Sequence, residues 1–221
     1  MDFIEHAKKC IERADNNESK LTQEILDYNG MSGSKGRHLL NNLCNMEECR
    51  YLEIGMFQGS TFFSAIYNNS INAVGIDNWS EFQHYKDSKQ LLYTNLEKYR
   101  GDNNVTIIDD NCWKSANREE LHDINVYFYD GGHSEQDQYK AIKDFYPKLA
   151  DTSIILIDDY TQIKGRTAVV KGTNRALQEL PVDVLYSVIL GPEIWENKSA
   201  DYVKSNEWWR SMRLMVLKKR N

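Results

Sequence analysis

Tyr51-Leu-Glu-Ile-Gly-Met-Phe-Gln-Gly-Ser-Thr61 decides the fold. A short apolar run ends at Glu53, Gly55 and Gly59 punctuate a turn, and Thr61-Phe-Phe-Ser-Ala-Ile-Tyr67 resumes at helical spacing. The pattern reads as a buried strand, a glycine loop and the opening of a helix. A loop of this kind brings backbone close to a ligand at the carboxyl edge of a sheet. About 20 residues on, Val74-Gly-Ile-Asp77 is a second strand ending in an acid, placed to accept hydrogen bonds from a ribose. Loop and acid together imply a nucleoside-containing cofactor.

Outward from this motif, strands and helices alternate. Strands are expected at 51–55, 73–77, 105–109, 125–129 and 153–158, with helices over 84–99 and 134–146 between them. Alternation of this kind implies a parallel sheet covered on both faces. Val182–Leu190 and Arg213–Lys218 are expected to close one sheet edge as an antiparallel pair. Upstream, residues 2–28 read as helical, Asn29-Gly-Met-Ser-Gly-Ser-Lys-Gly36 as a loop, and Leu39, Leu40 and Leu43 as a short helix. The expected architecture is a single Rossmann-like, doubly wound α/β domain. Its sheet is mostly parallel and seven-stranded, with helices on both faces and an antiparallel edge strand. Residues 1–50 form a helical cap of that domain, and 51–221 carry the cofactor-binding part.

Bulk properties narrow the class. The 221 residues suffice for one domain with a full core, and 41% hydrophobic with 27% charged residues is ordinary globular composition. A net charge of -6 without a long basic run argues against a nucleic-acid partner. No run approaches about 20 apolar residues, so no membrane span is expected. The start, Met1-Asp-Phe-Ile-Glu-His6, lacks the basic and apolar regions of a secretion signal. Cys10, Cys44, Cys49 and Cys112 fit no zinc spacing and read as free thiols of a cytoplasmic protein.

A second group of residues carries chemistry. Val126-Tyr-Phe-Tyr-Asp-Gly-Gly-His-Ser134 is a strand ending in Asp130, and Ile154-Ile-Leu-Ile-Asp-Asp-Tyr160 one ending in paired acids. Parallel strands end on one edge, so Asp130, Asp158 and Asp159 are expected to converge there with Glu53 and Asp77. Crowded carboxylates need a cation or raised pKa values. An all-oxygen set suits Mg²⁺, which takes about six oxygens and leaves places for substrate hydroxyls.

Glu-x-Gly-x-x-x-Gly with Asp77 resembles the class I S-adenosylmethionine-dependent methyltransferases. The resemblance implies that Glu53, Gly55, Gly59, Ser60, Asp77 and Asn78 hold S-adenosylmethionine. It also implies that the turn Asp110-Asn-Cys-Trp113 follows the adenine, with Asp110 or Asn111 on its amine and Trp113 bordering the ring or lying in the core. Gly33-Ser-Lys-Gly36, the Glu53 loop, Asp130 and the Asp158-Asp159 pair are similar in order to catechol O-methyltransferase. Asp-Gly…Ile-Asp-Asp-Tyr is closer to the macrocin-type sugar O-methyltransferases. In these families the matching acids hold Mg²⁺, so Asp130, Asp158 and Asp159 are the implied ligands. The catechol enzymes carry Asn where this chain has Asp159, which favours the sugar type or another branch. His133 falls where the catechol enzyme has its general-base lysine, and serves either as base or as cap of the following helix. Met31 and Ser32 are placed against the methionine end, and Arg37 in a solvated loop.

The expected activity is therefore O-methyl transfer to a small hydroxylated acceptor, sugar or catechol-like. Rivals are a metal-independent enzyme using His133 alone, a non-catalytic cofactor-binding subunit, and a nicotinamide dehydrogenase lacking its third glycine. Gly165-Arg-Thr and Lys171–Arg175 are expected to form a substrate lid. Trp195, Tyr202, Trp208 and Trp209 are placed in an acceptor pocket or a homo-oligomer contact, with at least one in the core.

Overall fold

The computed structural model describes residues 1–81, 85–160, 167–192 and 207–220. Helix α1 (Phe3–Asp15) is capped by Asp2, whose carboxylate accepts from the Ile4 and Glu5 N–H groups. The helix expected over 2–28 stops at Asn16-Asn17, where Asn17 takes φ 56°, and resumes as the single turn α2 (Gln23–Leu26). Asparagine tolerates the left-handed region, so paired asparagines end a helix that apolar spacing alone continues. The loop expected over 29–36 is shorter than read: Gly33 is the N-cap of α3 (Ser34–Leu43), and Ser34-Lys-Gly36 is its first turn.

Seven strands follow the expected alternation: β1 (Arg50–Ile54), β2 (Asn72–Asp77), β3 (Asn104–Asp109), β4 (Ile124–Tyr129), β5 (Leu149–Ile157), β6 (Val182–Leu190) and β7 (Met212–Lys219). Between them lie α4 (Ser60–Ile66), α5 (Ser88–Tyr99), α6 (Cys112–Ser115), α7 (Glu135–Lys143) and α8 (Ala168–Glu179). The sheet order is β3-β2-β1-β4-β5-β7-β6. β1 to β5 pair in parallel, and β7 runs antiparallel between β5 and β6, closing one edge as a pair.

Side chains alternate along each strand. Tyr51, Phe128, Leu156 and Leu214 enter an apolar cluster under Leu39 and Leu40 of α3 and Phe62 and Phe63 of α4. Leu52, Ile54, Tyr127, Ile155 and Met215 enter a second cluster, with Ala141 and Ile142 of α7 and Val169 and Ala176 of α8. Ala7, Cys10 and Ala14 of α1 belong to the first cluster, so the N-terminal helices and the sheet share one core.

Arg37 departs from the solvated position expected of it. It is 3% exposed, and its guanidinium donates to the Ile25, Leu26 and Tyr28 carbonyls and to Ser32 Oγ. One cation thus meets the Leu26 and Tyr28 carbonyls left open where α2 ends, and adds a second donor to the Ile25 carbonyl, which also accepts from Tyr28 N–H. Burial still pulls its pKa down to about 10. Arg37→Met is expected to strand the Leu26 and Tyr28 carbonyls and cost about 3 kcal/mol, read as a lower urea midpoint with an unchanged slope.

Candidate active site

Register brings the chemistry together. Ile54 pairs with Ile76 on one side and with Tyr129 on the other, and Tyr129 pairs with Ile157. The ladder continues one residue further: Gly55 N–H donates to Ile76 O, Asp130 N–H to Ile54 O and Asp158 N–H to Tyr129 O, at 3.0, 2.9 and 3.0 Å. Gly55, Asp130 and Asp158 therefore stand side by side on one rim. Gly55 adopts φ 90°, and a Cβ there would lie 2.0 Å from the Asp130 carbonyl oxygen. Only a glycine lets the first loop pass this close to the fourth strand.

Above this rim opens a cavity of about 440 Å³. Of the expected cofactor residues, Gly55, Asp77, Asn78, Asp110, Asn111, Cys112 and Trp113 line it. Asp77 clamps two loops: its carboxylate accepts from Phe57 N–H at 2.8 Å and Trp79 N–H at 2.7 Å. Both residues sit in left-handed backbone, φ 52° and 47°, and Trp79 Nε1 donates to the Phe57 carbonyl. Burial raises the Asp77 pKa, opposed by those backbone donors. Asp110 accepts from Asn111 N–H, and Asn111 in turn caps α6 through Trp113 N–H. Trp113 borders the cavity and packs on the second core cluster, under the Lys140 ammonium 4.3 Å from its ring centroid. The Cys112 thiol is pushed up to about 12 by burial, which makes it a poor nucleophile.

Glu53, Gly59 and Ser60 do not line the cavity. Strand alternation turns Glu53 to the Tyr51 face, where it is fully buried and accepts from the Tyr51 and Thr61 hydroxyls, each at 2.5 Å. Burial pushes its pKa up to about 8. Its hydrogen bonds are thus to β1 and to the first turn of α4. Gly59 caps α4 at φ 96°, and Ser60 Oγ lies 3.1 Å from Ser32 Oγ. Ser32, expected at the methionine end, is occupied there with Arg37 and Ser60, whereas Met31 reaches the cavity.

On the far side the acids meet as expected. Asp130 and Asp158 adjoin closely enough to hydrogen-bond if they share a proton. The side chain of Asp130 is 31% exposed and lines the cavity. Burial, then Asp158 and Asp159, holds Asp130 well above the ordinary carboxylate range. Burial, then Asp159, pushes Asp158 up to about 7. Asp159 turns at φ 49°, and its Oδ2 accepts from the Arg210 guanidinium at 2.7 Å. His133 Nε2 lies 3.5 Å from Asp159 Oδ2 and 3.9 Å from Asp130 Oδ1. Capping of α7 falls to Ser134, which accepts from Asp137 N–H, so the His133 ring is left for the cavity.

Glu53, Asp130 and Asp158 set a pH dependence whose sign is definite. Their folded-state pKa values are raised, so between about pH 4.5 and 8 the folded protein holds protons that the unfolded chain has released. Stability is expected to be greatest near the acid end of that window and to fall as pH rises through it. Urea midpoints measured across it, without ligand or divalent ion, check this.

Arg210, Phe57, Trp79 and Tyr129 were not anticipated at the site. Arg210 had a readable signal: β7 runs antiparallel, so the residues before Met212 arrive at the rim where the parallel strands end. Ser211 fixes this segment through Tyr160, its hydroxyl donating to the Tyr160 carbonyl at 2.6 Å. Trp209 also lines the cavity. Lys171–Arg175 lies within α8, so this part of the expected lid is regular helix. Gly165, Arg166, Trp195 and Tyr202 lie outside the described residues.

Among the described residues, no three His, Cys, Asp or Glu side chains are arranged to hold a metal ion. The donor chemistry nevertheless fits an oxygen-seeking ion. Three carboxylates adjoin, two of them with raised pKa values, and Asp159 Oδ1 is buried without a hydrogen-bond partner among the described residues. No described helix is long and apolar enough to cross a membrane.

A methyltransferase-domain family model matches residues 52–160. No curated protein sequence matches the chain. Among solved structures, an O-methyltransferase from Bacillus cereus in complex with SAH is 15% identical, with TM-score 0.60 over 95% of this chain and 91% of that one. TomG from Streptomyces achromogenes, an O-methyltransferase of tomaymycin synthesis in complex with SAM, is 15% identical, with TM-score 0.56 over 97% and 90%. A SAM-dependent O-methyltransferase from Thermotoga maritima is 14% identical, with TM-score 0.52 over 96% and 72%. These likenesses carry the fold. The glycine loop, the Asp77 clamp and the acids that follow β4 and β5 all fall inside the matched segment, and with them residues 52–160 form a methyltransferase domain, on the fold of the S-adenosylmethionine-dependent methyltransferases.

Proposed function

We propose that this methyltransferase acts on oxygen, methylating a hydroxyl of a small sugar or catechol-like molecule, with His133 as base and Asp130, Asp158 and Asp159 as the holders of Mg²⁺. The observation that carries the reading is the meeting of His133 and the three acids on the same rim as the Gly55 loop, within one cavity. When bound, S-adenosylmethionine supplies an electrophilic methyl group on a sulfonium, and Mg²⁺ lowers the pKa of a hydroxyl it coordinates.

The chain's own residues do the rest. Gly55 keeps the loop open to the cofactor, and Asp77 fixes the Phe57 and Trp79 turns around the nucleoside end. Asp110 and Asn111 would meet the adenine amine at the edge of that subsite, and Trp113, which borders the cavity, would cover the ring. His133 Nε2 removes the acceptor's proton, and Asp159, 3.5 Å away, stabilises the imidazolium that results. Trp79, Tyr129 and Trp209 wall the cavity against water, which strengthens each of these interactions.

One observation favours a second, metal-independent reading: Arg210 already neutralises Asp159. A strong chelator separates the two, since loss of turnover supports Mg²⁺ and unchanged turnover supports His133 acting with Arg210 alone. Calorimetric titration comes first. S-adenosylmethionine and S-adenosylhomocysteine are expected to bind and NAD is not. Hydroxylated acceptors are then screened by release of S-adenosylhomocysteine, and cofactor binding with no turnover across catechols and sugars would turn the reading toward a non-catalytic subunit.

A further inference from the structure

We propose that Gln138 is a positioning residue for His133, acting with the Tyr129 hydroxyl through the carbonyl of Gly132. The catalytic meaning of this inference rests on His133 as the base. The contact geometry stands without it.

His133 follows two glycines, a backbone with little stiffness of its own. Here the turn is held from both ends. The Gly132 carbonyl accepts from Tyr129 Oη at 3.1 Å and from Gln138 Nε2 at 3.2 Å. On the other side Ser134 caps α7. The glycines are what let the turn fold so tightly: a Cβ at Gly131 would lie 2.9 Å from the Tyr129 ring, and one at Gly132 2.6 Å from Asp137 Oδ2.

Gln138 is an expensive way to hold a carbonyl. It is 0% exposed, and its Oε1 has no hydrogen-bond partner among the described residues. A buried polar atom left unpaired destabilises a fold, so an apolar side chain of equal length would pack at least as stably. The other amide orientation turns Oε1 toward the Gly132 oxygen, which is repulsive, so the Nε2 donation sets the orientation. Helix α8 then locks Gln138 from behind. A Cβ at Gly172 would lie 2.7 Å from Gln138 Cβ and 2.2 Å from the Glu135 carbonyl. A rigid chain of contacts therefore runs from Gly172 through Gln138 and the Gly132 peptide to the His133 ring, the sort of support that keeps a reacting group in register.

The test needs no acceptor. In the full chain with S-adenosylhomocysteine bound, histidine-ring nuclear resonances are recorded for wild type, Gln138→Met and Tyr129→Phe, and the His133 signals are identified by their absence in His133→Asn. The expected result is a Tm equal to or above wild type for Gln138→Met, with the His133 signals shifted or broadened and those of the other four histidines unmoved. Tyr129→Phe is expected to move the same signals, and it decides the matter if Gln138→Met does not fold. His133 signals at their wild-type positions in the folded variants overturn the proposal. A normal methyl-transfer rate in His133→Asn overturns instead the reading of His133 as base.

Discussion

Asp130→Asn is expected to lower methyl transfer by on the order of 100-fold or more while S-adenosylmethionine binds within about threefold of wild type. The substitution keeps the shape of the side chain and mimics its protonated form. In the fold, Asp130 already sits beside Asp158 and Asp159 with its pKa held high, so a neutral amide relieves repulsion. Folding is therefore expected to survive, and a urea midpoint no lower than wild type above pH 7 checks that. What the amide removes is the capacity of this oxygen, 3.9 Å from His133 Nε2, to ionise when a cation or an imidazolium stands beside it. The amide neither draws the imidazolium into place nor serves a cation. On the proposed function, cofactor affinity depends on Asp77 and the Asp110-Asn111 turn, which line the cavity beyond the ends of β2 and β3. Equal turnover in the mutant, measured on any acceptor the wild type methylates, removes the acids from the mechanism. A large loss of cofactor affinity instead shows that the acids and the cofactor residues are not independent.

The rim was legible because parallel strands end together. Once Glu53, Asp77, Asp130 and Asp158 are read as strand ends, their neighbourhood follows from topology, and the register bears it out for the last three. Glu53 shows what strand ends alone miss. It is two residues short of the rim, and alternation sends it to the face that carries Tyr51, beneath α4. The same period-of-two argument that assigned the strand contained this answer. Arg37 was illegible for a different reason. It is placed by carbonyls at the end of α2, whereas the arrival of Arg210 at the rim follows from the antiparallel β7 and only its pairing with Asp159, 51 residues away, does not. A charged side chain reads as solvated until the acceptors that bury it are known. The break in the first helix turned on Asn17, whose left-handed backbone apolar periodicity does not register.

Gly55→Ala carries the largest stability effect expected of any single substitution here. Two independent costs fall on one methyl group. The first is conformational: φ of 90° is open to glycine and strained for alanine, on the order of 1–3 kcal/mol. The second is steric. The new Cβ would lie 2.0 Å from the Asp130 carbonyl oxygen and 2.6 Å from its carbon, both backbone atoms in a continuous ladder. No rotamer change relieves that contact, so β1 and β4 must part where their hydrogen bonding runs onto the rim, adding on the order of 1–3 kcal/mol. The sum, about 4 kcal/mol, lowers the Tm by roughly 10 °C in a domain of this size. The same displacement moves the loop that meets the cofactor and the strand end that carries Asp130, so S-adenosylmethionine affinity and turnover are expected to fall together, unlike the split expected of Asp130→Asn. Gly101→Ala is the control. It also has positive φ, 53°, but nothing lies within 4 Å of its Cβ, so it isolates the conformational cost. If the two variants unfold at the same temperature, the close passage of the first loop over the fourth strand is not what requires a glycine at position 55.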